Sequence, residues 1–117
     1  MSSNKAVVRV GINGFGRIGR LVFRALSGRD NVQIVHVNEA AGDSITAAYL
    51  LEFDSIHGRW RPGEVRSSMS KEGCTTPAIL VKGMDAVTFS SKTAITGVPW
   101  GVGDTGLRCD IVLECTG

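Results

Sequence analysis

No C-x-x-C pair occurs in this chain, and its three cysteines, Cys74, Cys109 and Cys115, form an odd set. That pattern supports neither a disulfide framework nor a zinc site, so no metal is expected. No run approaches the ~18 consecutive apolar residues that a membrane-spanning helix needs. The N-terminal stretch does not read as a signal peptide, because Arg9 interrupts a short apolar segment. The expectation is therefore a cytoplasmic protein with no membrane partner. An excess of one charge is also lacking: thirteen Lys and Arg against eleven Asp and Glu give +2, with no block of either sign. A nucleic-acid binder usually shows a basic stripe, so no nucleic-acid partner is expected. The nearest feature is Arg17, Arg20 and Arg24, at i, i+3 and i+7 of a predicted helix, which reads as a solvated face or local backbone contacts, or else as an anion site. Without a G-x-x-x-x-G-K-S/T segment, a nucleotide triphosphatase is disfavoured. Internal repeats and low-complexity segments are missing as well.

What the chain has in excess is glycine, 15 of 117 residues, about twice the usual ~7%. Four of them fall between Gly11 and Gly19, and the organisation around that cluster is informative. Ala6 to Ile12 is a β-rich run suited to a central strand, and Asn13 to Gly16 is turn chemistry. From Arg17 the period changes, with Ile18, Leu21, Val22, Ala25 and Leu26 forming the stripe of an amphipathic helix. Ser27-Gly28 and Asp30-Asn31 end it, and Val32 to Val37 reads as a second buried strand. A strand, a helix and a strand within about thirty residues make a βαβ unit with parallel strands and a right-handed crossover.

Further along, Asp43 or Ser44 caps a helix through Ile45, Ala48 and Leu51. Trp60 to Ser67 reads as a strand broken near its start by Pro62-Gly63. Ala78 to Val81 and Ala86 to Phe89 flank Lys82-Gly83-Met84-Asp85 as a β-hairpin. Gly97 to Gly106 is loop or a short helical turn, and Asp110 to Cys115 is a final strand. The fold class implied is α/β: a Rossmann-type doubly wound parallel sheet with an inserted β-hairpin, incomplete within residues 1–117.

Gly14-Phe15-Gly16-Arg17-Ile18-Gly19 is a G-x-G-x-x-G that follows a strand and opens a helix, the context a dinucleotide fingerprint requires. Gly14 permits the tight turn, Gly16 lets the backbone approach a pyrophosphate, and Gly19 lets helix and strand pack closely. The N–H groups of Arg17 and Ile18 then face an anion at the positive end of the helix dipole. A glycine-rich turn that binds nothing is the alternative. The fingerprint also needs an acid about twenty residues on, and Glu39 follows the strand-ending Val37-Asn38 at that spacing. Its carboxylate would accept hydrogen bonds from ribose hydroxyls and repel a 2′-phosphate. At ~4 Å the repulsion per charge pair runs from ~1 kcal/mol in water to ~4 kcal/mol at an effective dielectric of 20, which favours NAD over NADP. If the final strand pairs beside the first, Cys115, Thr116 and Gly117 border the crevice where strand order reverses. Cys115 itself reads as a small buried hydrophobe.

These residues resemble one family in particular. Val10 to Arg20 (VGINGFGRIGR) is similar to the N-terminal signature of the glyceraldehyde-3-phosphate dehydrogenase family. Phe53 to Arg59 (FDSIHGR) is similar to its Y-D-S-T-H-G-x segment, and the likeness continues around Lys82-Gly83, at Val98-Pro99-Trp100 and at Glu114-Cys115-Thr116-Gly117. The segments keep the family's order across the whole chain. The resemblance implies NAD as cofactor, with backbone contacts from Arg17 and Ile18 and with Asn13 beside them. Glu39, preceded by Asn38, would take the ribose-binding acid position, and Thr116 would lie near the nicotinamide side. Two departures stand out. Glu39 replaces the family's usual aspartate, as in erythrose-4-phosphate dehydrogenase. Thr93 stands at the arginine position of the family's adenine-side S-E-R-D-P run, so only a backbone contact would survive there.

The family's nucleophilic cysteine (in S-C-T-T-N) and its histidine base both lie beyond Gly117, so the resemblance implies no catalytic residue within residues 1–117. Cys74-Thr75-Thr76 mimics the cysteine motif in three letters, without its context. His57 belongs to the H-G-R segment, and His36 reads as a strand residue. The resemblance thus implies a partial NAD-binding domain of a phosphorylating aldehyde dehydrogenase, with the catalytic domain absent. The sugar phosphate and phosphate would bind through that absent domain, the full-length parent would be a homotetramer, and the 117 residues alone would be inactive. The alternatives are an erythrose-4-phosphate dehydrogenase and a non-catalytic NAD-binding module.

Overall fold

The computed structural model describes residues 6–68, 77–98, 100 and 108–116. A six-stranded sheet is formed by β1 (Val8–Asn13), β2 (Val32–Asn38), β3 (Val65–Ser68), β4 (Ala78–Val81), β5 (Val87–Ser90) and β6 (Ile111–Glu114). Its order is β3-β4-β5-β2-β1-β6. β1 pairs in parallel with both β2 and β6, and β2 pairs in parallel with β5. β4 runs antiparallel to both neighbours, so residues 65–90 add an antiparallel edge to a parallel centre. The chain first steps from β1 to β2 and later returns to the other side of β1 with β6. Strand order therefore reverses at β1, and the crevice outside the carboxyl ends of β1 and β6 is the switch point of a Rossmann-type sheet. β1 and β2 become buried toward their carboxyl ends because both faces of the sheet are covered there.

On one face sit α1 (Arg17–Ser27) and α2 (Ser44–Glu52), which share one apolar core with the sheet. Phe23 of α1 is fully buried between Phe15 and Trp60, with edge-on ring pairs at 5.7 and 6.1 Å. On the opposite face Trp100 meets the ring of His36 edge-on at 5.4 Å. The Arg24 guanidinium reaches from α1 to the carbonyls of Leu51 (2.8 and 3.1 Å), Glu52 (3.3 Å) and Gly58 (3.1 Å). It supplies donors to carbonyls left over at the end of α2, where a cation is also favoured by the dipole. The buried Glu52 carboxylate is held by Arg59 at 2.6 Å and the Gly63 N–H at 3.1 Å.

The βαβ unit, the hairpin and the final strand stand where the pattern placed them, with four local differences. The stripe expected on α1 is rotated: Gly19 and Phe23 are buried, whereas Ile18 is 61% exposed and Ala25 is exposed. Close contact between Gly19 and the loop before the helix fixes that rotation. On α2, Ala47, Ala48 and Leu51 face inward and Ile45 faces out. Asp43 is its cap, accepting from the Thr46 N–H at 2.9 Å, while Ser44 is buried. These contacts with Thr46 hold the Asp43 carboxyl below its ordinary range. The strand expected from Trp60 starts only at Val65, because Arg61 and Gly63 take positive φ (49° and 78°) around Pro62 and turn the chain. The second hairpin strand starts at Val87 rather than Ala86. A short 3-10 turn at Ile95–Gly97 ends where the loop or helical turn expected over Gly97 to Gly106 begins; positions 99 and 101–107 lie outside the described residues.

Candidate cofactor crevice

The carboxyl ends of the four parallel strands fall in one row, because Asn13 pairs in register with Asn38 on one side and with Glu114 on the other, and Asn38 pairs with Ser90. The backbone continues this row into the loops: Gly14 N–H donates to Asn38 O (2.8 Å), Glu39 N–H to Ser90 O (3.0 Å) and Cys115 N–H to Asn13 O (2.7 Å). Over this row stands the glycine loop. Gly14 has φ +102°, a conformation that L side chains rarely adopt, and a Cβ there would lie 2.5 Å from the Thr116 nitrogen. A Cβ on Gly19 would lie 2.0 Å from the Gly14 carbonyl oxygen. Helix and loop can pack at this distance only without a side chain. Gly16 differs, since a Cβ there would meet nothing within 4 Å.

The start of α1 is open to an anion. Its N-cap is Gly16, no side chain caps it, and no acid lies in the first turn. The Arg20 N–H reaches back to the Gly16 carbonyl at 2.9 Å. The N–H groups of Arg17 and Ile18 precede that bond and so have no intrahelical acceptor. Both residues are exposed. The Arg20 side chain donates from Nη1 to the Phe15 carbonyl at 3.1 Å, while its buried Nε has no partner among the described residues. Burial lowers the pKa of this guanidinium, with the Asp54 carboxylate acting against that shift.

Glu39 faces this helix start. Its carboxylate accepts from the Phe15 N–H at 2.5 Å and from the Ala41 N–H at 3.0 Å. Each oxygen thus holds one backbone donor and keeps further acceptor capacity. Beside Glu39 a cavity of about 150 Å³ is lined by Gly16, Arg20, Ala41, Thr46 and Leu50 among others. A second, of about 230 Å³, lies between the start of α2 and Pro77, Phe89, Ser91 and Lys92.

Asn13 and Asn38 are buried in the floor, Asn38 being 3% exposed. Asn38 Nδ2 donates to Asn13 Oδ1 (2.9 Å) and to the Lys92 carbonyl (3.0 Å). Its Oδ1 accepts from Ser90 Oγ (2.6 Å) and the Lys92 N–H (2.9 Å). Asn13 Nδ2 donates to Glu114 Oε1 at 2.9 Å, and Thr116 Oγ1 donates to Glu114 Oε2. These two donors hold the Glu114 carboxyl below its ordinary range. Asn13 and Asn38 therefore form the floor, and Thr116 stands exposed at the edge beside Gly14. Thr93 is exposed one residue beyond Lys92. Gly117 and Cys74 lie outside the described residues.

Ser90 and Lys92 carry no signal in the pattern, and Glu114 stands in it only as part of the Glu114-Cys115-Thr116-Gly117 segment, with no role of its own. Only the register of strands far apart in sequence brings them to the row, and no local motif carries that. Burial raises the Cys115 thiol pKa, aided by the Glu114 carboxylate, which suits a thiol packed against the core rather than a nucleophile. His36 is fully buried in β2, and burial pushes its pKa down to about 4. No group of three or more His, Cys, Asp or Glu side chains suited to a metal occurs among the described residues. No helix among them is long and apolar enough to cross a membrane.

Comparison with known proteins adds an independent line. The chain is 44% identical over 110 residues to glyceraldehyde-3-phosphate dehydrogenase 3 of Nostoc sp., covering 94% of the chain and 29% of that protein. It is 35% identical over 112 residues to the cytosolic glyceraldehyde-3-phosphate dehydrogenase of Dianthus caryophyllus, covering 96% and 30%. With glyceraldehyde-3-phosphate dehydrogenase 1 of Giardia intestinalis the identity is 39% over 110 residues, covering 94% and 29%. The chain thus spans about three-tenths of the length of these relatives. Residues 8–117 match the family model described as "Glyceraldehyde 3-phosphate dehydrogenase, NAD binding domain", which makes NAD the cofactor of this domain type. With the parallel sheet, the reversal at β1 and the glycine loop already in place, the chain belongs to the glyceraldehyde-3-phosphate dehydrogenase family of oxidoreductases, within its NAD-binding domain.

Proposed function

We propose that this chain is the NAD-holding part of a phosphorylating glyceraldehyde-3-phosphate dehydrogenase. The observation that carries the reading is the Glu39 carboxylate, fixed by two backbone N–H groups opposite an uncapped helix start. The residues fit the cofactor. The N–H groups of Arg17 and Ile18 would take the pyrophosphate, with Gly16 leaving room for it. Glu39 would accept from the ribose hydroxyls of the adenosine, and Thr93 would contribute backbone on the adenine side. Asn13 and Asn38 would form the floor, and Thr116 and Gly117 would border the nicotinamide side. When bound, NAD supplies the acceptor for hydride in aldehyde oxidation. The chain's own part is to orient the cofactor and disfavour a 2′-phosphate.

Residues 1–117 are a partial NAD-binding domain in this reading. The sugar phosphate, the phosphate and the nucleophile belong to the remainder of a parent protein, placed in the cytoplasm like its cytosolic-named relatives. A homotetrameric parent is supported by apolar side chains that the fold leaves exposed. Ile18, Ile45, Tyr49, Leu50, Phe53 and Ile56 are all exposed on α2, the segment after it and the first turn of α1. A helix apolar on both sides is one that a larger assembly covers.

Calorimetric titration of the chain with NAD and NADP tests the reading. NAD binding with much weaker NADP binding is expected, and absence of NAD binding refutes it. The chain alone is expected to form no NADH from glyceraldehyde 3-phosphate and phosphate, and measurable NADH formation would refute that part.

A further inference from the structure

The side chains at the four strand ends form a continuous rail: Thr116 to Glu114, Glu114 to Asn13, Asn13 to Asn38, and Asn38 to Ser90 and Lys92. The rail crosses β6, β1, β2 and β5, the four parallel strands. The direction of each bond is determined at its two ends. A carboxylate only accepts, so Asn13 must turn its amide nitrogen to Glu114 and its Oδ1 to Asn38. The Lys92 peptide offers one N–H and one C=O, and Asn38 meets both, Oδ1 to the N–H and Nδ2 to the C=O. The two asparagines between these ends can then take only one orientation. Both asparagines are buried, whereas Glu114 is exposed at the end of the rail, so a water that replaced its carboxylate would accept from Asn13 without a fixed position.

We propose that Glu114 is a positioning residue of the cofactor crevice: by terminating the rail it holds Thr116 on one side and the Asn38–Lys92 pair on the other in a single register. The inference rests on the NAD reading of the site and extends it. Glu114 need not touch the cofactor to do this. It joins the edge next to Thr116 to the loop that carries Thr93, so that both halves of the crevice are preorganised together. Preorganisation raises affinity by reducing the ordering that binding would otherwise require.

The test uses the full chain, with NAD and AMP as probes and the side-chain amide signals of Asn13 and Asn38 as reporters. Glu114→Ala leaves the buried Asn13 amide without its acceptor. NAD affinity is expected to fall about tenfold and AMP affinity about threefold. The Asn38 amide signals are expected to shift, although residue 114 does not contact Asn38, and the melting temperature is expected to fall by the several degrees that one unsatisfied buried amide costs. Glu114→Gln retains one acceptor for Asn13. It is expected to leave AMP affinity and the Asn38 signals in place and to lower NAD affinity about threefold, because its Nε2 donates where the carboxylate accepted and so reverses the bond that orients the Thr116 hydroxyl. This second variant carries the test if Glu114→Ala does not fold. Unchanged NAD affinity in both variants, or an unmoved Asn38 signal in a folded Glu114→Ala chain, overturns the positioning role. Failure of the wild type to bind either ligand overturns the cofactor reading itself, and the positioning role with it.

Discussion

The carboxylate of Glu39 takes the Phe15 N–H at 2.5 Å, so the acid at the end of β2 and the glycine loop after β1 are one hydrogen-bonded unit. One methylene longer than the aspartate usual at this position, Glu39 reaches the loop and leaves acceptor capacity on both oxygens. Glu39→Ala should therefore weaken NAD binding about tenfold or more, the scale of hydrogen bonds to a charged group. The NAD-over-NADP preference should shrink in the same variant, since the charge that repels a 2′-phosphate is gone. Calorimetry with both cofactors measures the two effects, and equal NAD affinity in wild type and variant would refute the ribose assignment.

Gly16 and Gly19 belong to one motif but should fail in different ways. An added methyl at Gly19 would lie 2.0 Å from the Gly14 carbonyl oxygen, and backbone must move to admit it. Gly19→Ala is expected to cost about 1–3 kcal/mol of stability, the range for overpacked sites. At Gly16 the methyl would meet nothing, so Gly16→Ala should cost about 1 kcal/mol or less as a cap change. Its NAD affinity should nevertheless drop, because the methyl would project into the space left for the pyrophosphate. Urea unfolding paired with NAD titration on both variants separates the cases, and a Gly16→Ala chain that binds NAD as tightly as wild type would remove Gly16 from the site.

The parts that could be read along the chain are those with local causes. The change of period at Arg17 marks the strand-to-helix step, and Lys82-Gly83 marks the hairpin, where Gly83 takes φ +88°. The spacing of Glu39 from the glycine loop places both at the same end of the sheet. What could not be read has causes distant in sequence. Ile18 lies on the apolar stripe of α1 and Phe23 lies off it, yet Phe23 faces the core and Ile18 does not, because the contact of Gly19 with Gly14 sets the rotation of the helix. Glu114 lies 101 residues from Asn13, and their contact depends on the register of β6 against β1. Asp43 and Ser44 are both good caps, and burial of Ser44 settles the choice.

Arg24 lies away from the crevice and tests whether stability and binding separate. Its guanidinium donates to the carbonyls of Leu51, Glu52 and Gly58, joining α1 to the end of α2. Arg24→Ala is expected to lower stability by about 1.5–3 kcal/mol, as for hydrogen bonds from a charged donor. NAD affinity should be unaffected wherever the variant is folded. Denaturant titration of the two proteins measures the first effect. A large loss of NAD affinity in folded Arg24→Ala would show that the two helices do not act independently of the crevice.

His36 governs the behaviour in mild acid. It is fully buried in β2, its ring nitrogens lying 2.7 Å from Thr88 Oγ1 and 2.8 Å from Ser90 Oγ, and burial lowers its pKa from 6.5 to about 4. Below pH 6.5 the unfolded chain takes up a proton that the folded chain refuses until about pH 4. Stability must therefore fall as pH drops through that window, by up to about 3 kcal/mol from this group. Asp43, Asp54, Glu52 and Glu114 also have lowered pKa values in the fold, Asp54 to about 2, owing first to the His57 N–H. Their contributions are present above their unfolded values of 3.8 to 4.5 and are lost mainly below them, so the upper part of the window belongs to His36. His36→Gln keeps a polar side chain beside Thr88 and Ser90 but cannot titrate. Urea unfolding at pH 7, 6 and 5 should show a falling midpoint in the wild type and a nearly flat one in the variant. Parallel slopes in the two proteins would mean that another group is responsible for the acid sensitivity.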